Sequence, residues 1–252
     1  MIFIKNAQEI DSIRKSCQVV AEVLKLMSSL IKPGITTKML DEAAEDYIRS
    51  RGAIPAFKGY SQAGSFNFPA SICASVDNAV VHGIPNDEPL KEGQIISIDV
   101  GVQLNGYYGD AAKTFPVGKV SELKKKLMKV TEEALYRGIE KAKSGNRVSD
   151  ISRTIQTYVE SNGFSIVREL TGHGVGKYLH EDPSIPNYVI GGPSPKLREG
   201  MTIAIEPMVN AGTYRVKTLR DGWTIVTEDG QPSAHFEHTI LITNHEPEIL
   251  TA

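Results

Sequence analysis

Two copies of one order of elements recur along this chain, and the repeat constrains the fold more than any other feature. In each copy, two segments of helical periodicity end at glycines, and segments that alternate apolar and polar residues follow. Three residue pairs share one offset: Gly34 and Gly145, Tyr47 and Tyr158, Gly52 and Gly163. At other offsets, Lys91–Asp99 (KEGQIISID) parallels Arg198–Glu206 (REGMTIAIE), and Val81–Ile84 parallels Gly172–Val175. We interpret the chain as an internal duplication with insertions between the matched segments.

The repeated order of helix, helix and strands predicts an α+β fold. The helical segments cover about residues 6–31, 37–51, 121–143 and 149–161. Helices that precede hairpin-forming strands predict a curved antiparallel sheet covered by helices on one face, which leaves the other face for a site. The chain has 252 residues, of which 40% are hydrophobic, so it can bury a sizeable core. We expect a single domain over residues 1–252, with internal halves of roughly 1–118 and 119–252.

Two acidic residues lie on the predicted open face of the first half. Period-2 alternation puts Asp99 on the polar side of its strand, and Asn105–Gly106 is a strong hairpin signal before the returning strand with Asp110. A two-residue type I′ loop places Asp110 opposite Gly101 and diagonal to Asp99, whereas a slightly wider loop places the two acids directly opposite. Neighbouring carboxylates repel unless a proton or cation lies between them, so the pair indicates a metal.

The second half adds further donors to the same face. Glu206 is the counterpart of Asp99, a predicted strand at Ser233–Thr243 puts His235 and Glu237 on one side, and His173 lies between glycines. The candidate ligands are Asp99, Asp110, His173, Glu206 and Glu237. This oxygen-rich set suits two divalent ions such as cobalt, manganese, iron or zinc, whose identity the sequence leaves open. Solvated acids and a hydrogen-bonded histidine are the alternative for each residue taken singly.

Charge and cysteine content exclude several other classes. Lysine and arginine number 28 against 30 acidic residues, so we expect no specific nucleic-acid partner. The N-terminal segment has no apolar stretch long enough for a signal peptide or a spanning helix, so we expect a cytoplasmic protein without a membrane partner. The two cysteines do not make a disulfide framework or a zinc ribbon. The run Lys124–Lys126 is interpreted as a solvated helix face, with transient ribosome contact as the alternative.

At these residues the sequence resembles the bacterial-type type I methionine aminopeptidases, across nearly its whole length. The matching strings are VVHGIP, IDVGVQLNGYYGD, TGHGVGKYLHEDP, IEPMVNAG, DGWT and FEHTI. Together they are highly specific, although GHGVG with a following HE also occurs in the related proline-specific peptidases. The resemblance implies a pita-bread fold with pseudo-twofold halves.

The resemblance also implies roles for individual residues. Asp99 and Asp110 would bind one metal with both oxygens or bridge two, His173 would bind the other, and Glu206 and Glu237 would complete the shells. The resemblance adds His82 and His180 as substrate contacts. In the hypothetical mechanism, Glu206 is the general base for a water activated by two metals, His180 stabilises the oxyanion, and His82 contacts the scissile amide nitrogen.

The methionine pocket departs from the family pattern. The resemblance indicates Cys73 and Trp223 as pocket walls, and Phe66 and Phe68 would replace tyrosines. The segment Gly59–Pro69 is longer than the usual pocket loop, and Leu179 stands where an aromatic residue is common. The shape of the pocket is therefore left open.

We expect hydrolytic removal of the initiator methionine from nascent proteins and peptides, preferably before a small second residue. The partners are nascent N-termini, and a monomer is expected. Two rivals remain. A peptidase that cleaves Xaa-Pro bonds shares the metal set but normally carries a large N-terminal domain. A non-catalytic binding protein would keep the fold without its metal ligands.

Overall fold

The computed structural model describes residues 1–61 and 66–252, so residues 62–65 of the long pocket segment lie outside the described residues. The helices are α1 (Ala7–Leu30), α2 (Thr37–Ser50), α3 (Glu122–Ile139) and α4 (Val148–Ser161). The strands of the first half are β1 (Ile54–Pro55), β2 (Cys73–Val76), β3 (Ala79–Val81), β4 (Ile95–Leu104) and β5 (Tyr107–Pro116). Those of the second half are β6 (Ser165–Ile166), β7 (Thr171–Gly174), β8 (Glu181–Pro186), β9 (Thr202–Ile205), β10 (Met208–Asn210), β11 (Val216–Thr218), β12 (Ile225–Thr227), β13 (Ser233–His235), β14 (His238–Leu241) and β15 (Glu248–Ile249). The predicted α+β class is confirmed.

The named strands pair antiparallel in four sheets. One joins β1, β4, β2 and β5, and a second orders β15, β14, β9, β7 and β8. Two three-stranded sheets order β13, β10 and β6, and β11, β12 and β3; the second of these joins strands from both halves of the chain. Within the described ranges, no helix is both long and apolar enough to cross a membrane.

Local signals set the helix ends. Asn6 caps α1, its side chain accepting from the main-chain N–H of Glu9 while the Glu9 carboxylate accepts from the N–H of Asn6. The third helix ends at Ile139, four residues before the predicted end at Lys143. Past that point Ala142 donates to the Ile139 carbonyl in a tighter turn and is itself fully buried. Core packing of this turn ends the helix early.

Each pair of helices covers the strands of its own half. In the first half, Val20 of α1 and Leu40 of α2 pack in one buried cluster with Ile98 of β4. In the second half, α3 and α4 form a separate cluster with β9, which includes Ile155 and Ile203. The apolar face of β4 therefore meets the helices, as its alternation predicted, and Asp99 lies on the other face.

The β4–β5 hairpin has the two-residue loop. Asn105 and Gly106 have φ values of +54° and +80°, and two positive φ values are the signature of a type I′ turn. The register places Asp110 opposite Gly101 and Ala112 opposite Asp99. Of the two predicted registers, the one with diagonal carboxylates is therefore observed.

Threonine hydroxyls join the two halves along one edge of β5. Thr239 Oγ1 donates to the carbonyl of Asp110 at 2.7 Å and accepts from its N–H at 3.2 Å. Thr114 Oγ1 repeats this arrangement with the carbonyl and N–H of His235, at 2.8 and 2.9 Å. Between them, the N–H of Glu237 donates to the carbonyl of Ala112 at 2.8 Å. We call this row of contacts the seam.

The prediction of one continuous strand over Ser233–Thr243 is wrong. It divides into β13, which pairs with β10, and β14, which pairs with β9. The interruption lies opposite Pro207, which has no N–H to donate, and the N–H of Glu237 bonds across the seam instead. Both strand pairs keep one register, so Glu206 and Glu237 fall opposite each other at the break.

Close contact between α1 and β5 leads to a stability prediction. A Cβ atom on Gly109 would lie 2.6 Å from the backbone nitrogen of Cys17 and 2.9 Å from its Cα. We expect Gly109→Ala to lower the free energy of unfolding by about 1–3 kcal/mol, because the clash is with backbone that cannot move independently. Urea unfolding monitored by circular dichroism measures the loss.

Gly191→Ala is the matched control. No heavy atom lies within 4 Å of the Cβ built on Gly191, and its φ is outside the left-handed region. Its unfolding free energy should stay within about 0.5 kcal/mol of the parent or rise slightly. Equal stability of both variants would show that α1 does not constrain β5.

Candidate metal centre

The five candidate ligands line one cavity. Its volume is about 360 Å³, and strands of both halves contribute to its walls. Among the residues that line it are all five candidate ligands and five of the six predicted substrate contacts: Asp99, Asp110, His173, Glu206, Glu237, His82, His180, Cys73, Trp223 and Phe68. Residues separated by more than one hundred positions in sequence thus meet at one site.

Three of the ligands form the tightest group. One donor atom each of Asp110, His173 and Glu237 lies within 4.8 Å of the others. His173 Nε2 is 3.6 Å from Glu206 Oε1 and 3.9 Å from Asp110 Oδ2. Asp99 lies diagonal to Asp110 across the β4–β5 pair, and the two carboxyl groups affect each other's pKa. A single cation in this space would have several donors at once.

His173 is held in the tautomer that a metal ligand requires. Its Nδ1 lies 2.9 Å from the carbonyl oxygen of Gly174, which can only accept a hydrogen bond. Nδ1 therefore carries the proton, and Nε2 presents its lone pair to the carboxylates. Burial also lowers the pKa of His173 to about 3, so the ring is neutral at physiological pH.

Unpaired oxygen atoms show that the set fits a divalent ion. Oδ1 of Asp99, Oδ1 of Asp110 and Oε1 of Glu237 are buried without a hydrogen-bond partner among the described residues. Asp110 and Glu237 are only 3% and 2% exposed. Buried polar atoms are normally paired, and several unpaired carboxylate oxygens beside an imidazole match the donors that divalent ions take.

Burial also raises the proton affinity of the four carboxyl groups in the cavity. Burial raises the pKa of Asp99 to about 7 and that of Glu206 to about 8. Burial, and then the neighbouring carboxylates, raise the pKa values of Asp110 and Glu237 well above the usual range. Without a cation, these groups retain protons near neutral pH; a bound cation would displace them.

The predicted substrate histidines both line the cavity. His82 has φ +57°, a conformation that histidine adopts infrequently, and its ring lies edge-on to Trp223 with centroids 6.1 Å apart. His180 is exposed at the mouth of the cavity, 4.4 Å between centroids from the His173 ring. Its Nδ1 is 2.7 Å from the hydroxyl of Tyr60.

A cluster of apolar side chains contributes to the cavity wall. The cluster consists of Phe57, Phe68, Ala70, Cys73, Leu179 and Trp223. Phe68 meets Trp223 edge to face at 5.3 Å between centroids. Burial holds the pKa of the Cys73 thiol well above its usual value, so this wall is uncharged. The result is a pocket of low polarity beside the carboxylates.

The Phe66 side chain does not lie where it was predicted. Its side chain is 85% exposed and does not line the cavity; instead, its carbonyl accepts a 2.8 Å hydrogen bond from Trp223 Nε1. The main chain at Phe66 therefore orients the Trp223 ring, while the phenyl group points elsewhere.

Several residues of the site had no role in the sequence analysis. Tyr60 and Phe57 line the cavity, and the Asn187 side-chain amide donates to the Glu206 carbonyl at 2.9 Å. The aromatic residue at Tyr60, in the same segment as Phe66 and Phe68, was the available signal for that position. His235 was placed on the ligand face of its strand but was left without a function.

Comparisons with known proteins agree with this geometry. The model of metallopeptidase family M24 matches residues 11–244. The methionine aminopeptidase of Clostridium perfringens is 54% identical over 251 residues, which cover 100% of this chain and 99% of that protein. Methionine aminopeptidase 1 of Bacillus subtilis has the same identity and coverage. The crystal structure of methionine aminopeptidase from Rickettsia prowazekii has a TM-score of 0.96 at 42% identity and covers 100% of both chains. The expected pita-bread fold is confirmed.

The raised carboxyl pKa values predict a pH-dependent stability of metal-free protein. Between pH 7 and 8 the histidines release only a minor fraction of their protons in the unfolded chain, whereas Glu206 and its neighbours in the folded state keep protons that the unfolded chain has released. Because the folded state binds more protons, the free energy of unfolding falls as pH rises. We expect a loss of at least about 1 kcal/mol between pH 7 and 8, or about 2–4 °C in Tm, in chelator-treated protein.

Differential scanning fluorimetry at each pH measures this loss. Saturating manganese should reduce the slope, because metal-bound carboxylates are already ionised. A metal-free Tm that is constant or rises from pH 7 to 8 would contradict the prediction.

Proposed function

The chain belongs to metallopeptidase family M24, and we propose that it removes the N-terminal methionine from nascent proteins and peptides by hydrolysis, preferably before a small second residue. The observation that carries the proposal is that the four carboxyl groups and the one imidazole of the candidate ligands line the same cavity as a cluster of apolar side chains. A site of this kind can hold a divalent metal next to an apolar side chain.

Metal use follows from the donor set, and we propose that two divalent ions bind. Asp99, Asp110, His173, Glu206 and Glu237 would hold them. Cobalt, manganese, iron and zinc all suit these donors. When bound, two such ions lower the pKa of a water molecule towards neutrality and polarise a scissile carbonyl group.

Three side chains of the cavity have separate proposed roles in hydrolysis. The Glu206 carboxylate faces the cavity and can accept a proton from water, as a general base does. The Tyr60 hydroxyl lies 2.7 Å from Nδ1 of His180; when it donates to that nitrogen, the ring proton is on Nε2, where it can stabilise a developing oxyanion. His82, which also lines the cavity, contacts the scissile amide nitrogen.

The apolar pocket would receive the methionine side chain. Phe68, Cys73 and Trp223 provide uncharged walls for a thioether, with Leu179 where the resemblance leads one to expect an aromatic ring. Phe66 is assigned no side-chain contact with the substrate, since its ring points away from the cavity.

The wider setting follows from the substrate. Nascent chains carry their initiator methionine where they are made, which supports a cytoplasmic location. We propose a single catalytic domain that acts as a monomer. We propose Lys125 and Lys126 for the transient ribosome contact. Lys124 is not included, because its side chain is 18% exposed and paired with Asp77.

A panel of three peptides tests the function. Metal-reconstituted protein should cleave Met-Ala-Ser but neither Ala-Pro nor N-acetylated Met-Ala-Ser, because cleavage requires a methionine side chain and a free amino group. Mass spectrometry of the products measures cleavage. Release of proline from Ala-Pro would instead identify an Xaa-Pro peptidase, and no cleavage of any peptide a binding protein.

Removal of single ligands tests the site. We expect Asp99→Ala and Glu206→Ala to lower kcat/KM by at least about 100-fold on Met-Ala-Ser, the range associated with loss of acid–base function alone. Glu228→Ala is the matched control, since Glu228 is exposed and lies outside the cavity lining. Full activity of either ligand variant at metal loading equal to that of the parent would refute the assignment.

A further inference from the structure

His235 is a buried imidazole that the mechanism above does not use. Its side chain is 1% exposed, and neither ring nitrogen has a hydrogen-bond partner among the described residues. Leaving buried polar atoms unpaired is unfavourable. A ring in this position therefore requires an explanation from the groups that surround it.

The groups around the ring belong to the metal centre. Nε2 of His235 lies 3.4 Å from Oε2 of Glu206, and the Asp99 carboxyl group is close enough for the two side chains to alter each other's protonation. His235 itself does not line the cavity, whereas Glu206 and Asp99 do. The imidazole thus lies behind the carboxylates rather than among the atoms that face a ligand.

Side chains of the first half fix the main chain of His235. Thr114 Oγ1 donates to the His235 carbonyl and accepts from its N–H. Since the single hydroxyl proton of Thr114 is used there, the Ser97 hydroxyl, 2.9 Å away, donates to Thr114. Two strands of the first half therefore fix the main chain from which the His235 ring extends towards Glu206.

We propose that His235 is a positioning residue for the metal centre: its Nε2 lies 3.4 Å from Glu206 Oε2 and donates a hydrogen bond to that oxygen once the carboxylate is ionised by a bound cation. The Glu206 carboxylate then has one oxygen engaged behind it and the other, Oε1, directed to the side where His173 Nε2 lies 3.6 Å away. Ligand carboxylates held in this way bind metal more tightly because less ordering is needed on binding. The inference rests on the proposed metal site.

Three variants test the role through metal affinity. His235→Gln keeps an N–H donor near the position of Nε2, whereas His235→Leu removes it with an apolar side chain of similar bulk. We expect His235→Leu to weaken manganese binding, measured by isothermal titration calorimetry, by about 10–100-fold, and His235→Gln to remain within about threefold of the parent. His238→Leu is the control, since the His238 ring contacts Thr251 and Tyr136 and does not line the site cavity.

The outcomes separate this inference from the proposed function. Unchanged affinity of His235→Leu overturns the positioning role. A His235→Gln affinity as low as that of His235→Leu also overturns it, because the imidazole itself would then be the requirement, as in a direct ligand. A parent protein that binds no manganese would refute the metal site instead.

A measurement on the unmodified protein keeps the test valid if His235→Leu does not fold. Long-range proton–nitrogen NMR spectra of the protein loaded with zinc, in which the Glu206 carboxylate is ionised, report which ring nitrogen carries hydrogen. The proposal requires the Nε2–H tautomer for His235. A spectrum with the proton on Nδ1 overturns it.

Discussion

Burial of four carboxyl groups in one cavity is the constraint on which the rest of this structure depends. Each is unfavourable to bury as an anion, and the penalty grows when its neighbours carry the same charge. The seam brings them together nevertheless, because Thr239 and Thr114 hydroxyls replace main-chain ladder bonds between β5 and strands from the other half. Two separate helix-covered cores support the seam from behind. The fold therefore maintains an arrangement that only protons or cations make stable.

The internal duplication supplies two pairs of acids, but the pairs are not equivalent. Asp99 and Asp110 lie diagonally across a regular hairpin with a two-residue turn. Glu206 and Glu237 lie directly opposite each other at a break in two strands, where Pro207 interrupts the ladder. The imidazoles of His173 and His235 both come from the second half. A duplicated scaffold has thus produced an asymmetric site, in which one side is mainly carboxylate and the other combines carboxylate with imidazole.

Whether a prediction agrees with the structure depends on how far apart in sequence the interacting residues lie. The alternation of apolar and polar residues and the Asn-Gly turn are local signals. They leave only two possible hairpin registers, and one of them has the observed diagonal relation of Asp99 and Asp110. The predicted strand through Glu237 is continuous, whereas the observed one is broken; because the break preserves the register, Glu237 still faces the cavity with the other candidate ligands. The exposed ring of Phe66 and the hydrogen bond from Tyr60 to His180 depend on contacts between distant segments, so no periodicity signalled them.

By itself, the sequence determined the class of fold, the two-copy organisation and the set of oxygen-rich residues on one face, since these follow from residue spacing and turn chemistry. Only the tertiary structure decided how the copies meet. Seam hydrogen bonds set the distances among ligands, burial sets their protonation, and a main-chain carbonyl orients Trp223. It also placed His235 behind Glu206. The physical reason is that these properties depend on distances between residues far apart in the chain, which local pattern does not encode.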